Sequence, residues 1–258
     1  MAIHPSAIID ARARIAGSAE IGPFCIVGSN VEIGARTRLM AHVYLEGTAV
    51  FGEDNVVFPY TTIGVASQDL KYKGEPSETR IGNRNTIREF VTVHRGTEGG
   101  GLITGIGDDN LVMAYAHIAH DVRIGSHTVI ANGVTFAGHV VVGDWAVIGA
   151  FSGIHQFCRV GRHAMIGGYS VVTQDVLPFS ITVSPREVKT FGANKTGLER
   201  RGFKPEAIEG LHKAFRLLTK SGLNTTQAVD RISAEVEIGP EIEELLAFIA
   251  SSERGFVK

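Results

Sequence analysis

The chain has 258 residues, with 25 lysines and arginines against 27 aspartates and glutamates, and two cysteines. A near-zero net charge excludes the global positive field of a nucleic-acid binder, and two cysteines exclude a disulfide framework and fit a reducing compartment. No stretch approaches the roughly 18 apolar residues of a spanning helix and no signal peptide opens the chain, which predicts a cytoplasmic protein with no membrane span.

In chain order, an aliphatic or Phe residue recurs every sixth position from Ile3 through Ile9, Ile15, Ile21, Val27, Ile33, Leu39, Leu45, Phe51 and Val57 to Ile63. The segment Val65 to Pro76 interrupts this pattern, which resumes at Ile81, Ile87 and Val93. Arg95 to Gly101 interrupts it again, and after a shift of one residue it runs unbroken from Ile106 to Val172. A period of six is neither that of a helix nor that of an alternating strand. It predicts one short strand and one turn per hexad, stacked into a solenoid because no single hexad can bury its apolar face. Four residues after most of these aliphatics sits a small or β-branched residue; Cys25 and Cys158 both fall there and read as packing residues. The two interruptions must protrude, as loops near 65–80 and 95–105, and loops on a rigid scaffold are where sites gather.

Past Pro178 the spacing becomes helical. Lys204-Pro205-Glu206 starts a helix carrying Ile208, Leu211, Phe215 and Leu218, and Ser221-Gly222 ends it. Thr225 or Thr226 caps a second helix through Val229, Ile232 and Val236, and Pro240 opens a third with Ile242, Leu245, Leu246 and Ile249. The expected division is therefore a solenoid over 1–178 and a connector with an α-helical domain over 179–258, which covers the solenoid's end and contributes to assembly.

To about residue 178 the chain resembles the hexapeptide-repeat family, which implies a left-handed parallel β-helix with triangular coils of three hexads. Given such coils, His120, Gly138 and Gln156 occupy one position on successive coils, and Asp121, His139 and Phe157 the next. An imidazole can take a hydroxyl proton near neutral pH. A backbone N–H such as that of Gly138 can hold a developing oxyanion, an effect of about 3 to 4 kcal/mol elsewhere, and the acid beside His120 can orient its ring. No Ser or Cys nucleophile joins them, which favours direct attack by the acceptor. The competing readings are a surface or interface histidine, or a shared zinc site like that of the gamma-class carbonic anhydrases. His117 and His120 lack the histidine spacing of that class, so no metal is expected.

More specific strings follow in order: Gln68-Asp69-Leu70-Lys71-Tyr72-Lys73-Gly74-Glu75-Pro76, Ile87-Arg88-Glu89, Val93-His94-Arg95-Gly96-Thr97, His117-Ile118-Ala119-His120-Asp121, Ala137-Gly138-His139-Val140, His155-Gln156-Phe157-Cys158 and Gly197-Leu198-Glu199-Arg200-Arg201-Gly202-Phe203. Together they resemble, over the entire chain, the UDP-N-acetylglucosamine acyltransferases that open lipid A synthesis. The resemblance implies transfer of a (3R)-hydroxyacyl group from acyl carrier protein to the sugar 3-position. His120 is then the general base, Asp121 its support and Gly138 the oxyanion donor. It further implies that His117, His139, His155 and Gln156 line a cleft between subunits of a homotrimer, and that Gln68, Asp69 and Lys71 lie on the nucleotide-sugar side. Asn194, Arg200 and Arg201 are expected near uridine diphosphate or phosphopantetheine; for the arginine pair a solvated helix end is the plainer alternative. Gly168 matches the acyl-length ruler. No cofactor is expected, since a thioester needs none. The alternatives are N-acylation of a 3-amino sugar, to which Ala66-Ser67 before Gln68 leaves room, and a non-enzymatic hexapeptide scaffold. The later N-acyltransferase of the same pathway carries a uridine-binding domain ahead of its solenoid, whereas here hexads begin at Ile3.

Overall fold

The computed structural model describes residues 2–183 and 189–258. Among these, three sheets whose strands pair in parallel along the coils form the faces of a left-handed β-helix, and consecutive hexads alternate among the faces. His117–Ile118, Arg123–Ile124 and Val129–Ile130 are one such set. Strands stay short because a corner follows each one. At many corners a non-glycine residue sits in the left-handed region, among them Tyr115, Asp121, His127, His139, Trp145 and Phe157, with φ between 59° and 65°. That region is unfavourable for a residue with a Cβ, so packing of the coils must hold it.

In the two-residue strands the second residue points inward, and in the longer coil strands the hexad residue does so too. From Ile21 to Val172 the hexad residues are at most 4% exposed, each burial being worth roughly 1.5 to 3 kcal/mol. The first three depart from the pattern: Ile3 is 39% exposed, and Ile9 and Ile15 are only partly buried, because no earlier coil covers them.

Uninterrupted coils repeat with Arg123 opposite Val141. Across the first interruption Val56 pairs with Thr86, and across the second Thr86 pairs with Leu111. A buried polar ladder pins the coils where those loops leave. The Asn55 Oδ1 accepts from the Asn85 backbone N–H and Nδ2, the Asn85 Oδ1 accepts likewise from Asn110, and the Asn110 Oδ1 accepts from Thr128. Every rung but the last spans an interrupted coil, so the side chains supply the alignment that the hexad spacing loses there.

The apolar interior changes between Val176, the last member of the solenoid core, and Leu177, the first of a second cluster. The second cluster is built by an antiparallel hairpin, Ser180–Val183 with Lys189–Ala193, and four helices: α1 Lys195–Arg200, α2 Pro205–Lys220, α3 Thr225–Glu235 and α4 Pro240–Ala250. The cap of α3 is Asn224 and not a threonine. Its side chain accepts from the Gln227 N–H while the Gln227 side chain returns to the Asn224 N–H, a closed capping box. The hairpin and α1 carry no helical apolar period, and the spacing does not reveal them.

Candidate active site

His120 and Asp121 form the corner between the face of His117–Ile118 and that of Arg123–Ile124. Because Asp121 takes a left-handed conformation, φ 61°, its side chain turns back toward its neighbour and Oδ2 accepts from His120 Nδ1 at 2.8 Å. The Asp121 side chain is fully buried, yet its oxygens are satisfied. Oδ1 accepts from the Thr97 N–H at 2.9 Å and Oδ2 from the Thr97 hydroxyl at 2.5 Å, while the Asp121 N–H donates to Thr104 Oγ1. Thr97 lies on the second protruding loop. Gly100 on that loop lies against the carboxylate, since a Cβ on it would stand 2.0 Å from Asp121 Cγ.

Gly138 lies one coil along from His120. A Cβ on it would come within 2.4 Å of His120 Cε1 and 2.6 Å of Nε2, so only glycine lets the ring lie against the backbone. The Gly138 N–H has no acceptor among the described residues, while its carbonyl accepts from the Phe157 N–H. The imidazole nitrogen not held by Asp121 faces Asp69 on the first loop, with Nε2 4.0 Å from Oδ2. That gap is too long for a direct bond.

This corner opens on a cavity of about 390 Å³ whose walls include Gln68, Asp69, Lys71, His117, His120, His139 and Gln156. A second cavity, about 720 Å³, continues from it between the two protruding loops, sharing Asp69, Lys71, His139 and Phe157 and adding Lys73, Glu75 and Glu98. Glu75 ties the loops together by accepting from the Glu98 N–H. Burial depresses the pKa of His117, whose Nδ1 meets Thr92 Oγ1 at 2.7 Å. Burial also outweighs the pull of Asp121 at His139, whose pKa is lowered, with the nearby His120 adding to the effect. His94 also faces this cavity. It is buried, stands edge-on to His117 at 4.9 Å, and has no partner for Nδ1. Burial first, then His117 and His120, push its pKa down to about 4, so it is a neutral imidazole at physiological pH. The sequence reading passed over it, because its neighbour relation with His117 crosses the second interruption, where the regular coil period fails.

His120, Asp121 and His139 also place one ligand atom each within 4.8 Å of one another, the one group of this kind among the described residues. The Asp121 Oδ2 already accepts from both Thr97 and His120, so a cation would have to break the His120–Asp121 pair.

The remaining expected site residues lie elsewhere in the protomer. The His155 Nδ1 meets the Gln156 carbonyl and the Arg254 guanidinium, each at 3.2 Å. Gly168 precedes Tyr169 at a different corner, where Tyr169 stacks on Phe151. Asn194 is buried as the cap of α1, accepting from the Gly197 N–H and donating to the His163 carbonyl. Arg200 is exposed at the end of α1. Arg201 lies 5.0 Å over the Trp145 ring and donates to the carbonyls of Gly197 and Trp145, with Nε buried and unpartnered. Trp145 stacks on His127 at the third corner of the coil.

Residues 175–257 match the family described as Udp N-acetylglucosamine O-acyltransferase, domain 2, and residues 104–138 match the bacterial transferase hexapeptide family. An acyl-carrier-protein–UDP-N-acetylglucosamine O-acyltransferase of Thermodesulfovibrio yellowstonii is 50% identical over 99% of both chains. Among solved structures, a UDP-N-acetylglucosamine O-acyltransferase from Moraxella catarrhalis is 44% identical with a TM-score of 0.95 over 100% of both chains. A UDP-N-acetylglucosamine acyltransferase from Bacteroides fragilis is 40% identical with a TM-score of 0.96, covering 99% of this chain and 100% of that one.

Proposed function

Because the chain belongs to the family of UDP-N-acetylglucosamine O-acyltransferases, we propose that it carries out the reaction its relatives are named for. It transfers a (3R)-hydroxyacyl group from acyl carrier protein to the 3-hydroxyl of UDP-N-acetylglucosamine, the step that opens lipid A synthesis. The observation that carries the mechanism is a histidine held by a buried carboxylate and laid against a glycine N–H that has no acceptor among the described residues.

In this reading Asp121 keeps a proton on His120 Nδ1, leaving the Nε2 lone pair free. The sugar hydroxyl donates to Nε2 and gives up its proton there, and its oxygen attacks the thioester carbonyl. The carbonyl oxygen becomes an oxyanion facing the Gly138 N–H, an interaction of about 3 to 4 kcal/mol in comparable sites. Collapse expels the pantetheine thiolate, which recovers the proton from the imidazolium, and Asp121 stabilises that cation while it exists. Gln68, Lys71, His117, His139 and Gln156 line the approach to the reacting atoms, with His155 beside Gln156.

We read the assembly as a homotrimer. Gly168, Asn194, Arg200 and Arg201 stand away from the His120 corner within one protomer, so a neighbouring copy must bring them if they serve the same site. There Gly168 would leave room for the acyl chain, and Asn194 with the arginine pair would approach the phosphates. A ladder of exposed rings at another corner supports self-association: Phe24, His42, Tyr60, Phe90 and Tyr115 stack in sequence at 4.9 to 5.0 Å. A monomer in sedimentation would refute it. No helix among the described residues is long and apolar enough to cross a membrane, in keeping with a cytoplasmic enzyme.

The test is transfer from a series of hydroxyacyl carrier proteins to UDP-N-acetylglucosamine by wild type and His120→Ala. Product with wild type and a loss of about two orders of magnitude or more in the variant supports the assignment. Product only with a 3-amino sugar would move the acceptor to nitrogen.

A further inference from the structure

The column of corner residues Asp121, His139 and Phe157 does not end at Phe157. His139 meets His120 edge-on at 5.1 Å, Phe157 stacks on His139 at 4.4 Å, and the guanidinium of Arg254 lies 5.7 Å from the Phe157 ring centre. Arg254 comes from the far end of the chain, 99 residues after His155, to which it donates at 3.2 Å.

The tail that delivers it is firmly fixed. The Asp175 N–H donates to the Gly255 carbonyl and the Val257 N–H to the Asp175 carbonyl. The Ser252 hydroxyl donates to the Asp175 carboxylate, which Arg159 also engages, and the Thr190 hydroxyl donates to the Val257 carbonyl. Phe256 and Val257 are buried. Gly255 supplies the left-handed turn, φ 74°, that sends Arg254 outward while Phe256 goes in. Among the described residues no carboxylate ion-pairs with Arg254, and its side chain faces solvent at the rim of the site. A guanidinium has five N–H donors in a planar fork; His155 and the Cys158 thiol engage part of it, and the donors left over suit a phosphate-shaped acceptor.

We propose that Arg254 is a substrate-binding residue that takes a phosphate oxyanion of one of the two substrates. The inference rests on the acyl-transfer reading above, in which both substrates bear phosphate: the diphosphate of the nucleotide sugar and the phosphodiester that joins the pantetheine arm to its carrier. Three ring contacts separate Arg254 from His120, so it binds and aligns substrate without touching the reacting atoms.

Arg254→Gln and Arg254→Lys are compared with wild type using three donors: hydroxyacyl carrier protein, hydroxyacyl-phosphopantetheine and hydroxyacyl-pantetheine, which lacks the phosphate. The glutamine variant is expected to raise one KM about tenfold or more, as loss of a charged hydrogen-bond pair does, with kcat within about twofold and melting unchanged. Lysine should restore part of the loss. If the donor phosphate is the ligand, wild type prefers phosphopantetheine to pantetheine and the glutamine variant does not. If the nucleotide is, that preference survives and the KM for UDP-N-acetylglucosamine rises instead. Both KM values within twofold of wild type overturn the proposal. Calorimetric binding of 4′-phosphopantetheine and of UDP, which needs no turnover, separates this from a failure of the acyl-transfer reading: equal affinities in wild type and Arg254→Gln refute the Arg254 site even if no donor is turned over, and a tenfold weakening of either supports it.

Discussion

Replacing Asp121 by Asn leaves the shape of the corner unchanged and alters which nitrogen of His120 can carry a proton. Asp121 Oδ1 accepts from the Thr97 N–H at 2.9 Å, and Oδ2 from His120 Nδ1 at 2.8 Å. In the variant one of these places becomes an NH2 donor. If it stood at the Thr97 N–H, two donors would face each other in a buried site, at a cost of about 1 to 3 kcal/mol. The amide therefore settles with its oxygen on Thr97 and its nitrogen on His120, which makes Nδ1 an acceptor and puts the imidazole proton on Nε2, where the sugar hydroxyl must be deprotonated. A general base contributes about 10² to 10⁴, and the same Asp-to-Asn change in a Ser-His-Asp triad, which imposes the wrong tautomer, costs about 10⁴. The expected result is a fall in kcat of about three orders of magnitude or more with both KM values near wild type, measured by initial rates with melting as a fold control. A folded variant that keeps more than about a tenth of the wild-type kcat would refute the tautomer argument.

Gly138→Ala should abolish turnover without unfolding the chain, because the new Cβ would stand 2.4 Å from the His120 ring and push the base off its carboxylate; a variant with wild-type kcat contradicts that placement. Asn85→Ala removes the Asn85 side chain from both of its neighbours in the buried ladder and leaves the Gly107 carbonyl without its Nδ2 partner. It should cost about 2 to 4 kcal/mol in urea unfolding, against no change if the ladder is incidental. Burial holds His163, 3% exposed, at a pKa of about 4, with Arg162 and Arg201 adding to the effect, against an ordinary 6.5. The unfolded chain thus binds this proton first, and stability is lost as pH falls from about 6.5 to about 4, by roughly 3 kcal/mol for one such group. His163→Phe, whose ring can keep the stack with Phe179, should reduce that slope and leave the like share of His94; an unchanged slope would assign it to other groups.

The sequence makes some parts of this molecule easier to read than others, and the reason lies in how the repeat works. Wherever the six-residue period runs unbroken, neighbours in space are a fixed number of residues apart, so His120, Gly138 and Gln156, and Asp121, His139 and Phe157, could be placed on adjacent coils once the family resemblance implied three hexads per coil. The stacking of His139 on Phe157 and the approach of Gly138 to the His120 ring follow from that arithmetic. The arithmetic fails at each interruption. Thr97, whose N–H and hydroxyl satisfy the buried Asp121 carboxylate, and His94, which meets His117, sit beside a loop that resets the period, so their partners are invisible to counting. The same limit hides Arg254, which reaches His155 from 99 residues away through a tail whose anchor, Asp175, lies where hexads give way to the helical segment. The sequence-legible half of the site is therefore the half that one rigid coil presents to the next. The residues that hold the Asp121 carboxylate and close the rim, Thr97 and Arg254, come from segments inserted into or appended to the coil, where tertiary contact alone sets position.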